Sequence, residues 1–274
     1  MKKQLATLGL AALVLIGASS LSFANHFEVL VINGDSEGAN NEAAVVIQKT
    51  ELLEHTFAFT QINIGPNSNR PPAGAEDIDK LIGKSIILSD FQLIYFTWNG
   101  PGHDGSYFMG EVEEDFLDWV KNGGIVYMSA MDDNFPNSPG AWMPLDEFPV
   151  TVQNTADATG KITDAGKASI IFSKPNKITE NDIGSWTLDD NFAPGNPDDW
   201  KIYAIRGDNN QPVVCYLPYG KGGYLECCID ARSTFPAAEP FVENALYFMA
   251  EKYVPEAVKP LGKLATMWGD LKSQ

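Results

Sequence analysis

The stretch QLIYFTWNGPGHDGSYFMGEVEEDFLDWVKNGGIVYMSAMDDN, residues 92–134, indicates how this chain folds. An apolar run at Leu93–Phe96 ends in a turn rich in glycine and proline, and a second apolar run covers Ile125–Met128. Between them, apolar side chains at positions 112, 116, 119 and 120 have the spacing of one helix face. Gly123 stands where a left-handed residue often ends a helix. The stretch therefore predicts a strand–helix–strand unit with parallel strands.

The rest of the chain continues this alternation of strands and helices. The near-continuous apolar run Phe27–Ile32 predicts a central strand that is buried on both faces. Thr56–Ile64 alternates as a second strand. Pro212–Leu217 and Gly223–Ile229 flank a glycine turn and predict a hairpin. Together these elements predict one α/β domain over residues 25–253, a three-layer flavodoxin-like sandwich with a mostly parallel central sheet and a late β-hairpin.

Residues 134–200 interrupt the pattern with many prolines, glycines, aspartates and asparagines. Val150–Val152 and Ser169–Phe172 are the candidate strands within this segment. We predict a loop-rich insertion, or long loops on the active face, because no sizeable apolar core is visible here. The segment is therefore assigned to the same domain as its flanks.

The first 24 residues have the pattern of an export signal. Lys2 and Lys3 precede an apolar run over residues 5–17, and Ser22 and Ala24 supply small side chains for a cleavage site. Because the run is short for a membrane span, we predict that residues 1–24 are cleaved and that the protein is secreted or periplasmic. The chain has 36 acidic and 19 basic residues, so nucleic acid and anionic membranes are poor partners.

Three cysteines lie in or beside the predicted hairpin, at Cys215, Cys227 and Cys228. Export would permit a disulfide between Cys215 and one of the other two. Buried free thiols in a strand are an equally good interpretation. The sequence leaves the pairing open.

Several segments resemble the class I glutamine amidotransferase-like superfamily, nearest its trehalose-utilisation-type branch. Phe27–Ile32 is similar to the first strand of that superfamily, and Tyr95–Gly102 to its third strand and the following glycine loop. Phe116–Gly124 resembles the helix and glycine pair before the fourth strand, and Pro212–Gly222 resembles the late hairpin. The order and spacing of these motifs carry the resemblance, which implies a three-layer α/β sandwich.

The catalytic residues of that superfamily are absent here. Amidotransferases of this kind carry a cysteine in a Gly-x-Cys-x-Gly elbow after the fourth strand, and a histidine activates it. The corresponding stretch is Tyr127–Met131, with Ser129 near the nucleophile position and neither glycine present. The late catalytic histidine has no counterpart, because the chain has only His26, His55 and His103. The resemblance therefore implies the fold without glutamine hydrolysis.

In a parallel sheet, ligands bind beyond the carboxyl ends of the strands, where three loops of this chain should meet. The candidates for catalysis are Ser129, His103 and Asp104, and the candidates for ligand binding are Asp35, Trp98, Asn99, Gly100, Asp132 and Asp133. Carboxylates with one imidazole could hold a divalent cation or supply a general acid and base. Aspartate and asparagine are also ordinary turn residues. We therefore assign no metal ligand and leave the cofactor open.

Two hypotheses of different classes follow. The first is an exported, catalytically degenerate amidotransferase-like module that binds a small polar ligand such as a carbohydrate. Tryptophans in the predicted loops suit sugar stacking, or else they cover the core; they are Trp98, Trp142, Trp186 and Trp200. The alternative is an extracytoplasmic hydrolase or sugar-modifying enzyme that uses the acidic and histidine cluster at the strand ends. The sequence names no protein partner.

Residues 254–274 form a tail beyond the last predicted helix. Pro255 and Pro260 prevent a simple extension of that helix. The tail nevertheless carries large apolar residues at a density unusual for a disordered segment; they are Leu261, Leu264, Met267 and Trp268. We expect the tail to pack on its own domain or to dock on a partner.

Deleting the residues after Val254 is expected to lower the midpoint of thermal unfolding by several degrees. A packed tail buries apolar surface, which contributes roughly 25 cal/mol per Å². Calorimetry on the chain from Asn25 onward, with and without the tail, measures the shift. An unchanged midpoint would contradict packing on the domain and leave an idle or partner-bound tail.

Overall fold

The computed structural model describes residues 25–34, 42–64, 73–97, 113–129, 143–154, 159–186, 188, 190–228 and 237–253. The strands are β1 (Asn25–Asn33), β2 (Glu51–Leu52), β3 (His55–Asn63), β4 (Leu93–Phe96), β5 (Ile125–Met128), β6 (Val150–Asn154), β7 (Gly160–Ile162), β8 (Asp190–Pro194), β9 (Lys201–Arg206), β10 (Pro212–Tyr219) and β11 (Gly222–Cys227). The α-helices are α1 (Glu42–Val46), α2 (Ile78–Leu81), α3 (Glu113–Lys121), α4 (Asp164–Lys167), α5 (Glu180–Ile183) and α6 (Glu239–Lys252). The segments predicted as signal peptide and tail lie outside these residues.

Nine strands form one mixed sheet in the order β2-β3-β1-β4-β5-β11-β10-β9-β7. Its central strands β3, β1, β4, β5 and β11 are parallel. Counted along the chain, these five follow the order 2-1-3-4-5 of flavodoxin-like folds. Strands β10, β9 and β7 extend the sheet antiparallel at one side, and β2 does so at the other. The predicted flavodoxin-like architecture, with its mostly parallel core and late hairpin, is confirmed.

Helices cover both faces of this sheet. The ring of Phe116 in α3 packs on Phe96, and the ring of Phe241 in α6 packs on Tyr127. Phe96 is level with Met128 in the neighbouring strand, and successive residues of a strand point to opposite faces. Phe96 and Tyr127 therefore project to opposite sides, so α3 and α6 form the two outer layers. None of the helices in the described part of the chain has the length and apolarity to cross a membrane.

The tip of the β10–β11 hairpin lies directly on the corner between α3 and β5. The Lys221 amide donates to the Lys121 carbonyl oxygen at 2.9 Å, and the Gly223 amide donates to the Gly124 carbonyl oxygen at 3.3 Å. A Cβ atom at Gly222 would lie 2.1 Å from that same Gly124 oxygen. Glycine at 222 therefore permits a backbone-to-backbone approach that any side chain would prevent. The glycine pair Gly123–Gly124 and the glycine turn at residues 220–223 thus form the two sides of one backbone contact.

The segment from 143 to 200 is more regular than the sequence indicates. Strands β6 and β8 form a separate antiparallel pair, and β7 joins the edge of the main sheet. The predicted strand at Ser169–Phe172 is wrong, because Ile170–Phe172 is a 3₁₀-helix capped by the Ser169 side chain. Trp186 and Trp200 are buried, whereas Trp98 and Trp142 lie outside the described residues.

A buried asparagine ties this segment to the main domain. The Asn244 side-chain oxygen accepts from the Asn176 amide at 2.8 Å, and its nitrogen donates to the carbonyl oxygens of Ile171 and Asn176. Asn244 belongs to α6, so these bonds anchor a predicted loop region to the layer of helices. Such anchoring satisfies backbone groups that burial would otherwise leave unpaired.

All three cysteines are buried thiols, and none of them forms a disulfide with another described residue. Cys215 is level with Glu226 across the hairpin, whereas Cys227 is level with Val214. Because neighbouring residues of a strand face opposite sides, Cys215 and Cys227 project from opposite faces of the sheet. This placement explains why the hairpin brings the two thiols close in register without joining them.

Replacing Gly222 with alanine is expected to destabilise the protein by at least about 2 kcal/mol, because the new methyl group meets two backbone oxygens. Gly83→Ala is the matched control. Gly83 has φ +76°, and a Cβ there meets nothing within 4 Å, so only the dihedral cost of about 1 kcal/mol applies. Urea unfolding of both variants measures the difference. Equal losses would contradict the close approach at the hairpin tip.

Candidate functional site

Three neighbouring parallel strands, β1, β4 and β5, end in buried polar residues. Asn33 is the last residue of β1, Thr97 follows β4, and Ser129 follows β5. The Thr97 hydroxyl lies 3.3 Å from the Asn33 side-chain oxygen, and the Asn33 side-chain nitrogen donates to Asn63 at 3.1 Å. The Ser129 amide donates to the Phe96 carbonyl oxygen at 3.0 Å. These groups form a polar row along the carboxyl edge of the sheet, which we call the strand-end row.

Two tyrosines with rings in tilted contact lie beneath the strand-end row. The rings of Tyr95 and Tyr127 are 4.6 Å apart, and the Tyr95 hydroxyl donates to a Glu42 carboxylate oxygen at 2.5 Å. Glu42 is the first residue of α1 and is buried. Burial in the sheet raises the pKa of both Tyr95 and Tyr127 well above the usual value of 10. Both side chains therefore stay neutral phenols and act only through hydrogen bonds.

Ser129 is the one predicted site residue that the structure describes, and it is buried. Its side chain lies beside the Tyr127 hydroxyl, and a neutral phenol cannot serve as a general base for a serine nucleophile. His26 and His55 lie near the start of β1 and at the start of β3, at the opposite edge of the sheet. Among the described residues, no imidazole therefore accompanies Ser129 at the strand ends.

The remaining site predictions lie outside the described residues. This applies to the two further catalytic candidates, His103 and Asp104. It applies equally to the six ligand-binding candidates, which are Asp35, Trp98, Asn99, Gly100, Asp132 and Asp133. Their roles, including a divalent cation held by the carboxylates, stay predictions.

Sequence reasoning missed most of the polar groups that do come together. The sequence pattern places Asn33 and Thr97 at the ends of apolar runs, and Tyr95 and Tyr127 within such runs. Nothing in the pattern distinguishes Glu42 from an ordinary residue at a helix start. The available signal was position, since Asn33 and Thr97 directly follow the apolar runs Phe27–Ile32 and Leu93–Phe96, at the strand ends where ligands bind. The Glu42–Tyr95 bond joins residues 53 positions apart, so no local pattern announces it.

Glu226 is a fully buried carboxyl group on β11, one residue before the strand ends. Neither of its carboxyl oxygens has a hydrogen-bond partner. It is level with Met128 in β5 and with Cys215 in β10, so it projects from the face opposite Tyr127. Burial raises the pKa of Glu226 to about 8.

No protein-family profile and no curated protein sequence matches this chain. Solved structures do match it. A ThuA-like protein from Parabacteroides merdae superimposes with a TM-score of 0.53 and 13% sequence identity, covering 86% of this chain and 94% of that chain. A ThuA-like protein from Bacteroides uniformis gives a TM-score of 0.52 and 11% identity, covering 84% and 94%. The fold is that of the ThuA-like proteins. The predicted resemblance to the class I glutamine amidotransferase-like superfamily is thereby confirmed for the architecture.

A larger protein shares the ThuA-like architecture over part of its length. The carbohydrate deacetylase Agd3 matches with a TM-score of 0.50 and 10% identity, covering 83% of this chain and 33% of that chain. Sequence identities this low show a shared fold, but the roles of individual residues cannot be transferred from one protein to the other. The chemistry of this chain must therefore be argued from its own side chains.

The buried carboxyl group of Glu226 makes stability depend on pH. Its pKa of about 8 in the folded state exceeds the ordinary glutamate value of 4.5. Between these two pH values the folded state therefore keeps a proton that the unfolded state has released. The free energy of unfolding therefore falls as pH rises from about 4.5 to 8, by roughly 1.4 kcal/mol per pH unit from this group. Above pH 8 this loss is complete.

Glu226→Gln is expected to remove this loss. The variant should match the wild type near pH 5 and exceed its free energy of unfolding by several kcal/mol at pH 8, as measured by urea unfolding. Glu51→Gln removes the same charge from an exposed edge strand and controls for overall charge. Parallel pH curves for wild type and Glu226→Gln would show that the carboxyl group ionises without cost.

Proposed function

We propose that this ThuA-like chain is an exported, non-catalytic module that binds a small polar ligand, and that the ligand is a carbohydrate. The observation that carries the proposal is the strand-end row of Asn33, Thr97 and Ser129. It lies at the edge where open α/β sheets bind ligands. Its groups are amides and hydroxyls, which recognise sugar hydroxyls without needing a charge.

The absence of catalysis is supported by the surroundings of Ser129. The neighbouring Tyr127 is a buried phenol that stays neutral, and the two described histidines belong to the far edge of the sheet. Nucleophilic catalysis needs a base within hydrogen-bond reach of the nucleophile. The described residues at this edge include one carboxylate, Glu42, and its side chain accepts a hydrogen bond from Tyr95.

The choice of a carbohydrate is supported by two further points. The formal net charge of the chain is −17, which disfavours anionic ligands and leaves neutral polar molecules as suitable ones. The fold also occurs in a protein described as a carbohydrate deacetylase. Export remains a proposal that rests on the pattern of residues 1–24.

The alternative is a hydrolase or sugar-modifying enzyme at the same edge. The observation that favours it is Glu42, a buried carboxylate held by Tyr95 beside the strand-end row. A carboxylate in this position could act as a general acid or base on a bound sugar. Binding and turnover are separable by experiment.

Thr97→Val is expected to weaken sugar binding at least tenfold, about 1.4 kcal/mol, because it removes one hydroxyl from the strand-end row and keeps the shape. A glycan array, followed by calorimetric titration with glucose, galactose, mannose and trehalose, measures the affinity. Thr56→Val is the matched control, since Thr56 lies at the amino edge of the same sheet. An unaltered affinity in Thr97→Val, or no binding across the array, would overturn the proposed site.

Turnover assays on the same preparations distinguish the two functions. The binding module should release no ammonia from glutamine and should leave each bound sugar unchanged over hours. Steady ammonia release that disappears in Ser129→Ala would refute the non-catalytic function. Conversion of a bound sugar that disappears in Glu42→Gln would establish the enzyme alternative.

A further inference from the structure

A second cluster of polar side chains lies at the amino edge of the sheet, far from the strand-end row. His55 is the first residue of β3, Glu54 precedes it, and Glu251 belongs to the last turn of α6. One ligand atom from each side chain lies within 4.8 Å of the others. The cluster joins a central strand to the longest described helix.

The imidazole of His55 is held rigidly. The residue is only 2% exposed, and three aromatic rings surround it, with centroids at 5.0 Å for Tyr247, 5.4 Å for Phe27 and 6.4 Å for Phe57. Its Nε2 atom lies 2.8 Å from a Glu251 carboxylate oxygen. A ring fixed in this way loses little conformational entropy when it binds a ligand.

The hydrogen-bond capacity of this imidazole is only half used. Nδ1 is buried and has no hydrogen-bond partner among the described residues, whereas Nε2 faces the Glu251 carboxylate. If Nδ1 carries the proton, the lone pair of Nε2 faces a carboxylate, which is repulsive unless a cation lies between them. A cation bound to Nε2 would remove that repulsion.

The two carboxylates are available as anions. The Tyr247 hydroxyl donates to a Glu54 oxygen at 2.7 Å, and this hydrogen bond leaves the other carboxylate oxygen of Glu54 available to a cation. Glu251 is 41% exposed, so its side chain can adjust. Two anions that converge on one imidazole repel each other, and a bound cation would relieve that repulsion.

We propose that Glu54, His55 and Glu251 bind a zinc ion. Zinc takes imidazole nitrogen and carboxylate oxygen at about 2.0–2.2 Å and favours four ligands in a tetrahedron. Neighbouring ligand atoms are then about 3.4 Å apart. The Glu251 oxygen, now 2.8 Å from Nε2, would therefore draw back, and ligand atoms that are farther apart, up to 4.8 Å, would approach each other. The exposed side of the cluster leaves room for water as the fourth ligand. Tyr247 acts as the outer hydrogen-bond partner that orients Glu54.

A matched control exists at the same edge of the sheet. His26 pairs with Glu28 at 3.1 Å, but this imidazole is exposed and has one carboxylate beside it. An ordinary histidine–glutamate ion pair would behave alike at both positions. A zinc site requires the second carboxylate, so replacing His55 should weaken zinc binding and replacing His26 should not.

The test is calorimetric titration of zinc chloride into EDTA-stripped protein, from Asn25 onward, at neutral pH. Wild type and His26→Gln should bind one zinc ion with affinities within about twofold of each other. Glu54→Gln and Glu251→Gln should each lose at least about tenfold, and the double variant should not bind. Both glutamates are exposed, so these variants keep the fold even if His55→Gln does not. Zinc should also raise the melting midpoint of the wild type and not that of the double variant.

Two results would overturn the site. One is the absence of saturable zinc binding by the wild type. The other is binding that the double variant retains, which would assign the ion to carboxylates elsewhere in the chain. An equal loss in His26→Gln and His55→Gln would likewise refute the role of the buried imidazole.

Discussion

The backbone of the β10–β11 hairpin rests on the backbone of the α3–β5 corner, and the arrangement of the whole second half of the sheet depends on this contact. It brings β11 beside β5 as the fifth parallel strand, and strands β10, β9 and β7 follow outward from it. Gly222 permits the approach because a Cβ would meet backbone oxygens on the other side. One small residue therefore positions four strands, and with them Glu226 and Cys227.

The two ends of the sheet carry different chemistry. At the carboxyl edge the described polar groups are mainly neutral amides, hydroxyls and phenols, with carboxyl groups in Glu42 and Glu226. At the amino edge, both described histidines pair with glutamates. This separation explains why an amidotransferase-like scaffold can retain its architecture and still lack an imidazole beside Ser129. It also means that substitutions at one edge should leave the other edge intact.

Much of the fold could be predicted because its signals are local. The apolar runs at 93–96 and 125–128, and the helix between them, have spacings that few other structures share. The strand prediction at residues 169–172 was wrong because three apolar residues fit a strand and a 3₁₀-helix equally well. The side chain of Ser169 caps the 3₁₀-helix and favours it. The candidate site was harder to predict from the sequence. Ser129 came from the alignment of motifs, whereas Glu42 and Tyr95 meet only after β1, α1 and β4 have assembled.

The nine-stranded sheet ends in β2 at one side and β7 at the other, and these strands have two and three residues. A sheet edge offers unpaired backbone groups to any passing chain, and long flat edges recruit further strands into aggregates. The outermost strands themselves offer few hydrogen bonds to a second molecule, although β3 extends beyond the two residues that β2 pairs with. The strong negative charge of the chain adds repulsion between copies. The short outermost strands and the negative charge thus both oppose edge-to-edge association of copies of this chain.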